Sequence, residues 1–339
     1  MKILDESIQA MLAPGKGLLA ADESFPTIGK RFKELGIAST EENRRAYRDL
    51  LFSTPGLAES ISGVILFDET IHQKTAAGRP MVEAISAQGM LPGIKVDAGT
   101  EVLPAFPNEK FTLGLDGLRD RLSDYFKLGA RFTKWRAVIT IGNGIPTDAC
   151  IDANAMTHAL YAALSQEAGL VPIVEPEVLM DGDHSMERCE EVATAVLKRT
   201  FERLSEHRVV LEQMILKTGM ILPGADSKGI ASPSQVAEAT LRCFRRSVPA
   251  AVPGIVFLSG GQKEVEATQR LNPICAVKGL PWRITFSYGR ALQDPAMKAW
   301  GGKAQNVKAA QDALAHRARC NGLAVLGAYS ESVENSKGA

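Results

Sequence analysis

Eight short apolar segments, often rich in β-branched residues, recur along the 339-residue chain and constrain its fold more than any other feature. They cover residues 17–22, 63–68, 93–97, 131–141, 171–179, 212–220, 254–260 and 283–289. Near-continuous apolar runs, as opposed to alternating ones, are typical of strands buried on both faces of a parallel sheet. Gly or Pro flanks several of these segments, as expected for strand ends.

Helical patterns separate most of the predicted strands. They cover residues 39–52, 151–169, 185–207, 232–246 and 303–327. Ser39 and Glu42 have the spacing of a capping box, and Ser232 is a good cap followed by Pro233. Pro- and Gly-rich sequence predicts loops between the second and third strands and over residues 98–116.

The alternation of eight strands with helices predicts a (β/α)8 TIM barrel, with a doubly wound open sheet as the alternative fold. No composition shift, low-complexity segment or linker marks a boundary, so we expect a single domain over residues 1–339. Residues 1–14 are expected to form an N-terminal helical extension, and residues 303–339 a C-terminal helix and tail.

Composition and charge argue against several classes of function. Lys plus Arg and Asp plus Glu both number 39, so a neutral chain is not expected to bind nucleic acid or a membrane surface. The five cysteines form no CxxC pair, which predicts reduced thiols. Asp5 and Glu6 interrupt any signal peptide, and no stretch of about 18 apolar residues occurs. We therefore expect a cytoplasmic location.

Every predicted strand has a polar or charged group at or near its C-terminal end, where the active sites of such barrels lie. These groups are Asp22, Asp68, Lys95 with Asp97, Lys134 with Arg136, Glu175 with Glu177, Lys217, Ser259-Gly260-Gly261 and Gly289-Arg290. Residues two apart share one face of a strand, so two cations and two carboxylates could meet in one pocket. There they must pair with each other or with a ligand. A stabilising salt-bridge layer inside the barrel is the alternative.

Lys217 has the most apolar flanks of the three candidate lysines, the others being Lys95 and Lys134. Desolvation and repulsion from Lys134 would both lower the pKa of its amine. A neutral amine is a nucleophile toward a carbonyl group and forms a Schiff base. The sequence alone does not choose firmly among the three lysines, and Lys217 could instead reach solvent at the strand end.

Two loops follow the last two strands, where barrels often bind phosphate. Ser259, Gly260 and Gly261 offer a hydroxyl and backbone N–H groups to an anion. The other loop contains Ser287, Gly289 and Arg290, of which Arg290 can make a bidentate contact. Lys30 and Arg31, which follow Ser24, are candidates for a second phosphate on the opposite rim, although they could be a solvated helix face.

Motifs of other chemistries are missing from the sequence. The five histidines form no HxH or HExxH pair, so we expect no metal, and residues 181–184 are interpreted as a polar turn. The chain has no GxGxxG after the first strand, no GxxxxGK[ST] and no GxSxG. No cofactor is therefore expected.

Long motifs spread over nearly the whole chain resemble the class I (Schiff-base) fructose-bisphosphate aldolases. They are GKGLLAADES (15–24), GIKVD (93–97), GLDGL (114–118), KWR (134–136), VPIVEPE (171–177), DGDH (181–184), FLSGGQ (257–262), FSYGRALQ (286–293) and KAWGG (298–302). The resemblance implies a (β/α)8 barrel, a homotetramer, and a metal-independent lyase of glycolysis that acts on a sugar phosphate.

The resemblance also implies roles for the matching residues. Lys217 matches the Schiff-base lysine, and Glu175 the proton-transferring carboxylate, with Glu177 beside it. Asp22, Lys95, Lys134 and the adjacent Arg136 match charged groups around the sugar carbons. The phosphate on the ketone half matches Ser259, Gly260, Gly261, Ser287, Gly289 and Arg290. The other phosphate matches Ser24, Lys30, Arg31 and Thr27.

The chain departs from the family pattern at four places, one of which is Thr133, where the family has Ala before Lys134-Trp135-Arg136. The family's Lys-Pro-Asn-Met is Lys217-Thr218-Gly219-Met220 here, and Phe25-Pro26 replaces the usual small residues after Ser24. Many members end in a functional tyrosine, whereas Tyr329 is the last tyrosine of this sequence. We therefore expect slower enamine protonation, or protonation by another group, and a less certain substrate preference.

The implied reaction is the reversible cleavage of fructose 1,6-bisphosphate to dihydroxyacetone phosphate and glyceraldehyde 3-phosphate. Two alternatives stay open at this stage. One is a Schiff-base aldolase for a different sugar phosphate, suggested by the altered segment after Lys217. The other is a weakly catalytic oligomeric binding scaffold, suggested by the missing terminal tyrosine. A complete set of pocket charges argues against the scaffold.

Overall fold

The eight predicted strands close into one parallel barrel in the computed structural model, which describes residues 2–336. The barrel strands are β1 (Gly17–Ala21), β2 (Ile61–Leu66), β3 (Leu91–Lys95), β6 (Phe132–Ile139), β7 (Val171–Val178), β8 (Ile215–Thr218), β9 (Gly254–Phe257) and β10 (Arg283–Tyr288). Strands that follow one another in the barrel sequence are neighbours, and β10 pairs with β1. The TIM-barrel prediction is confirmed, and the doubly wound sheet is excluded.

Thirteen α-helices occur within residues 2–336, most of them between barrel strands. They are α1 (Lys2–Met11), α2 (Phe25–Glu34), α3 (Glu41–Phe52), α4 (Asp68–Ile71), α5 (Met81–Ala87), α6 (Leu118–Lys127), α7 (Asp148–Glu167), α8 (Met186–Glu206), α9 (Pro233–Ser247), α10 (Glu264–Ala276), α11 (Arg290–Trp300), α12 (Val307–Val325) and α13 (Glu331–Asn335). The end of the expected C-terminal tail, residues 337–339, lies outside the described residues.

The predicted cap of α3 is wrong by one residue. Thr40 is the N-cap, and its hydroxyl accepts a hydrogen bond of 3.2 Å from the backbone N–H of Asn43. The Glu42 carboxylate accepts hydrogen bonds from Arg45 on the same helix, so it does not reach back to cap Ser39. The predicted start of α9 is confirmed, because Ser232 and Gln235 form a complete capping box before Pro233.

An antiparallel hairpin occupies residues 100–112, where the sequence predicted only loop. Its strands are β4 (Thr100–Leu103) and β5 (Phe106–Thr112), and most of their side chains are exposed or half-buried. The prediction failed because a solvated hairpin has no buried face to produce an apolar pattern. The Thr112 hydroxyl donates a hydrogen bond of 2.9 Å to the carbonyl of Arg136, which ties the hairpin to β6.

Helix α1 closes the N-terminal end of the barrel. Its apolar side chains pack with Leu12 against barrel residues in a buried cluster. The members of this cluster are Leu4, Ile8, Met11, Leu12, Leu18, Ala20, Ile65, Phe132, Val171, Ile173, Ile215 and Val256. The lower part of the barrel is therefore a packed apolar core, and the buried charged side chains of the strands, such as Lys134, Glu175 and Lys217, lie toward the opposite end.

Close packing inside the barrel requires glycine at one position in particular. A Cβ atom at Gly93 on β3 would lie 2.2 Å from the ring of Phe132 on the neighbouring strand β6. The Phe132 ring is fully buried, so it has little room to move.

None of the helices within residues 2–336 combines the length and apolar character needed to cross a membrane.

Candidate active site

A cavity of about 620 Å³ opens at the C-terminal ends of the barrel strands and collects most of the predicted site residues. Those that line it are Asp22, Ser24, Thr27, Arg31, Lys95, Asp97, Lys134, Arg136, Glu175, Glu177, Lys217, Ser259, Gly260, Ser287, Gly289 and Arg290. Lys30 and Gly261 do not line this cavity. Each barrel strand except β2, or the loop that follows it, contributes at least one of these predicted residues.

Strand β2 does not contribute the expected carboxylate. Asp68 begins α4 instead of ending the strand, and its side chain is 59% exposed. It accepts a hydrogen bond of 2.6 Å from the hydroxyl of Tyr125. Phe67, the residue before it, lines the cavity in its place. The apolar run that predicted this strand extended two residues too far.

Lys217 lies at the centre of the site, on β8. Because Ile215 belongs to the interior cluster and side chains alternate along a strand, Lys217 also faces the barrel axis. Its ammonium group is 3.2 Å from Glu175 Oε1 on β7, and both side chains are only 4% exposed. A buried amine in contact with a carboxylate has a partner for proton transfer.

Lys134 on β6 joins two carboxylates. Its Nζ is 2.7 Å from Asp22 Oδ2 and 3.4 Å from Glu175 Oε2. Burial opposes ionisation of Asp22, but the nearby Lys134 and Lys217 outweigh it and lower the pKa of Asp22 to about 2. Burial likewise opposes the charge on Lys134, yet Asp22 and Glu175 raise its pKa above the ordinary value. Glu175 is therefore shared between two buried ammonium groups.

Two further ion pairs line the cavity. The Arg136 guanidinium binds the Glu177 carboxylate, and Lys95 Nζ is 2.6 Å from Asp97 Oδ1. Burial opposes the charge on Arg136, but Glu177 and Glu175 raise its pKa. Together with the pairs around Lys217, four cations face four carboxylates. The salt-bridge layer considered from the sequence does exist, and it lines an open cavity.

The first predicted phosphate site joins the loops after β9 and β10. Gly260 and Gly261 adopt left-handed φ angles of 52° and 89°, which residues with a Cβ rarely tolerate. The hydroxyl of Ser287 is buried and has no hydrogen-bond partner. Arg290 begins α11, whose first backbone N–H groups lack helical partners and attract anions. The two loops lie close together, since a Cβ at Gly261 would be 3.8 Å from Arg290 Nη2.

The opposite rim differs from the sequence prediction. Arg31 is buried, and its guanidinium already binds Glu23 and, at 2.8 Å, Asp294. Arg48 on α3, which the sequence analysis missed, lies 2.6 Å from the other oxygen of Glu23. Burial opposes ionisation of Glu23, but the two arginines lower its pKa. Arg48 lies among other charged residues of α3, yet its side chain is only 3% exposed.

This combination defines a class of protein. A barrel with a buried lysine against a carboxylate, and with anion-binding loops after the last two strands, is typical of enzymes that cleave small phosphorylated carbonyl compounds at carbon–carbon bonds.

Comparisons with known proteins agree with this class. The model of the glycolytic class-I fructose-bisphosphate aldolase family matches residues 3–339. A probable class 1 fructose-bisphosphate aldolase of Xanthomonas campestris is 54% identical over 327 residues, which is 96% of this chain and 98% of that protein. The cytosolic fructose-bisphosphate aldolase 4 of Arabidopsis thaliana is 53% identical, over 96% of this chain and 83% of its own.

A solved structure shows the same fold. The fructose-bisphosphate aldolase of Plasmodium falciparum, crystallised with TRAP and a small-molecule inhibitor, matches with a TM-score of 0.95 and 48% identity. The match covers 97% of this chain and 95% of that one. The chain therefore belongs to the class I fructose-bisphosphate aldolase family. The known reaction of this family is the metal-independent cleavage of fructose bisphosphate in glycolysis.

Proposed function

We propose that this chain cleaves fructose 1,6-bisphosphate reversibly to dihydroxyacetone phosphate and glyceraldehyde 3-phosphate, with Lys217 as the Schiff-base nucleophile. One observation carries the assignment of the nucleophile. Lys217 Nζ is buried 3.2 Å from a carboxylate oxygen of Glu175, and the flanking residues on β8 are buried as well. Lys134 and Lys95 are less suited, because each amine is held by a carboxylate at 2.7 Å or closer, against 3.2 Å for Lys217.

The reaction begins when Lys217 passes a proton to Glu175 and its free amine attacks the C2 ketone. The ketone oxygen takes a proton from the attacking nitrogen and leaves as water with a second proton from Glu175, and the C2–N bond becomes an iminium. The C4 hydroxyl then loses its proton to Glu175, and the C3–C4 electron pair moves toward the iminium nitrogen. The aldehyde leaves, and an enamine remains.

Glu175 returns the proton taken from the C4 hydroxyl to C3, which makes the enamine an iminium again, and water hydrolyses the iminium to the ketone and the ammonium form of Lys217. The iminium nitrogen accepts the electron pair, a role that a Lewis-acidic metal fills in other mechanisms. Asp22 and Lys134 hold Glu175 and the sugar hydroxyls in place, because their ion pair fixes both side chains at 2.7 Å. Glu177 orients Arg136, whose guanidinium is half-exposed toward the cavity.

Two anion sites position the substrate over Lys217. Ser259, Gly260, Ser287, Gly289 and Arg290 form the site for the ketone-side phosphate, which Gly261 completes by holding the turn. Ser24, Thr27 and Arg31 form the site for the other phosphate, whereas Lys30 does not line the cavity. Anchoring both ends holds C2 against the amine and lowers the entropic barrier to attack.

The altered segment after Lys217 favours testing a second substrate. Thr218 is buried and Gly219 half-buried at the end of β8, where the family has Pro-Asn. The rate with fructose 1-phosphate, which lacks the second phosphate, would equal or exceed that with fructose 1,6-bisphosphate if the chain served a different sugar phosphate.

Homotetramer assembly and a cytoplasmic location are part of the same proposal. The location is in line with relatives named as cytosolic or cytoplasmic isozymes.

The decisive experiment is borohydride reduction in the presence of dihydroxyacetone phosphate, followed by peptide mapping. The expected result is a stable adduct on Lys217, which is absent from the variant Lys217→Met. The matched control is Lys95→Met, in which the Lys217 adduct should still form. An adduct on Lys134 or Lys95 would move the nucleophile and keep the class. Folded protein that binds the ligand and forms no adduct would overturn the Schiff-base mechanism.

A further inference from the structure

A group of metal-binding side chains lies outside the active site, at the C-terminal end of the described chain. His316 and Cys320 are one turn apart on α12, and Glu334 comes from α13. One ligand atom from each residue lies within 4.8 Å of those of the other two. None of the three residues lines the active-site cavity. We propose that they form a zinc site that fastens α13 to α12.

The distances within the group are close to those of a formed site. His316 Nε2 is 3.6 Å from Cys320 Sγ and 3.9 Å from Glu334 Oε1. Tetrahedral Zn²⁺ with ordinary bond lengths of about 2.0–2.3 Å would place its N, S and O ligands about 3.4–3.6 Å apart. The ligands therefore need to move by only a few tenths of an ångström along these edges.

The chemistry of the three donors suits zinc better than the hard cations. An imidazole, a thiolate and a carboxylate form a mixed set that Zn²⁺ accepts, whereas Mg²⁺ and Ca²⁺ prefer oxygen ligands alone. Three protein ligands leave a fourth position for water. His316 is 27% exposed, which gives the ion and this water a route from solvent.

Two neighbours hold the Glu334 carboxylate in position. Its Oε2 accepts hydrogen bonds from Arg317 Nη2 at 2.7 Å and from Tyr329 at 2.6 Å. Its Oε1 accepts one from Arg317 Nη1, so a lone pair remains on the side of His316. Hydrogen-bonded carboxylates are the usual ligands of zinc sites. The charge of Arg317 repels the ion, so we expect micromolar affinity in place of the tighter binding of zinc fingers.

Binding requires one proton to leave. A thiol with the ordinary pKa of about 8.5 is protonated at neutral pH, whereas zinc binds the thiolate. When the S–Zn bond forms, the thiol proton passes to solvent. The site then contains Zn²⁺, a thiolate and a carboxylate, with no net charge apart from Arg317.

The test is calorimetric titration of the reduced, metal-free full chain with Zn²⁺. One ion should bind per chain with micromolar affinity and release one proton. Cys320→Ser and His316→Ala should each weaken binding at least about 100-fold, beyond the loss that follows removal of an outer-shell partner. Cys275→Ser and His72→Ala are the matched controls, outside the group, and should bind as the unchanged chain does.

A second readout separates a site from adventitious binding. Zn²⁺ should slow amide exchange in residues 331–335 of the unchanged chain and should have no such effect in Cys320→Ser. Aldol cleavage should be the same with and without the ion. Equal Zn²⁺ affinity in the unchanged chain and Cys320→Ser would overturn the proposal. The absence of saturable binding by the reduced protein would also overturn it.

Discussion

Replacement of Lys134 by methionine removes the cation that joins Asp22 and Glu175 in the buried cavity. Its Nζ lies 2.7 Å from one carboxylate and 3.4 Å from the other. At an effective dielectric constant of about 20, these attractions are worth about 6 and 5 kcal/mol. Desolvation of the ammonium group offsets several kcal/mol of this sum, so we expect a net loss of about 3–5 kcal/mol on breaking the buried pairs.

Proton uptake sets a ceiling on this loss. A carboxyl group with the ordinary pKa of 3.8 can be protonated at pH 7 for about 4.4 kcal/mol, at about 1.4 kcal/mol per pH unit. The loss of unfolding free energy cannot exceed this cost, because Asp22 in the folded variant takes up a proton before it remains an unpaired buried anion at a higher cost. The expected loss of unfolding free energy at pH 7 is therefore about 3–4 kcal/mol.

The sign of the pH dependence follows from the same step. In the unchanged chain the pKa of Asp22 is lowered to about 2, so folded and unfolded states are both ionised between pH 5 and 7. In the variant, burial without Lys134 raises this pKa above that of the unfolded chain. The folded variant then binds the extra proton, so it gains stability as the pH falls. At pH 5 the ceiling drops to about 1.6 kcal/mol.

Urea unfolding at pH 5, 6 and 7, followed by circular dichroism at one protein concentration, measures these differences. The matched control is Lys127→Met, since Lys127 is 70% exposed and pairs with Asp124 at 3.0 Å on the surface. Its loss should stay below about 1 kcal/mol at every pH. A loss for Lys134→Met that is equally small, or that does not change with pH, would refute the reasoning.

Three further predictions concern the phosphate rim, the barrel core and metal dependence. Arg48→Met should raise KM for fructose 1,6-bisphosphate about 10-fold, because Glu23 then binds Arg31 more tightly and Arg31 is less free to bind the second phosphate. KM for fructose 1-phosphate, which lacks that phosphate, should not change. An equal rise for both substrates would contradict this reasoning. Gly93→Ala should lower the unfolding free energy, measured in urea, by about 1–3 kcal/mol, because the new Cβ clashes with Phe132. Gly29→Ala is the matched control, since the nearest atom would be 3.6 Å from its new Cβ, and it should cost less. Gly78 is unsuitable as a control, because its φ of 79° strains any residue with a Cβ. EDTA should leave aldol cleavage unchanged, and loss of activity on chelation would indicate a metal mechanism.

The barrel was predictable from the sequence because its strands are buried on both faces. Segments such as 171–179 lack polar residues except at the positions that face the cavity, so both the strand and its functional end were visible. Lys217 and Glu175 were found for this reason: charged residues in otherwise apolar runs have few places to go except a buried polar site.

Features held together by long-range pairing were not predictable. Arg48 belongs to helix α3, which carries five other charged residues, and only the fold brings it to Glu23. The roles of Asp68 and of the hairpin at 100–112 were misjudged because solvated or half-buried segments have no apolar periodicity. His316 and Cys320 have helical spacing, but their third neighbour, Glu334, becomes visible only when α13 folds back.

Helix α1 closes the N-terminal end of the barrel, so the active-site cavity opens at the C-terminal end of the strands. Leu4, Ile8 and Met11 pack with apolar barrel residues into a buried cluster at the end of the barrel opposite the cavity. On the proposed mechanism, the water that releases the second product enters by the route through which the first product departs. The aldehyde and the hydrolytic water therefore use the same opening of the cavity. The aldehyde has to leave before the water can reach the iminium.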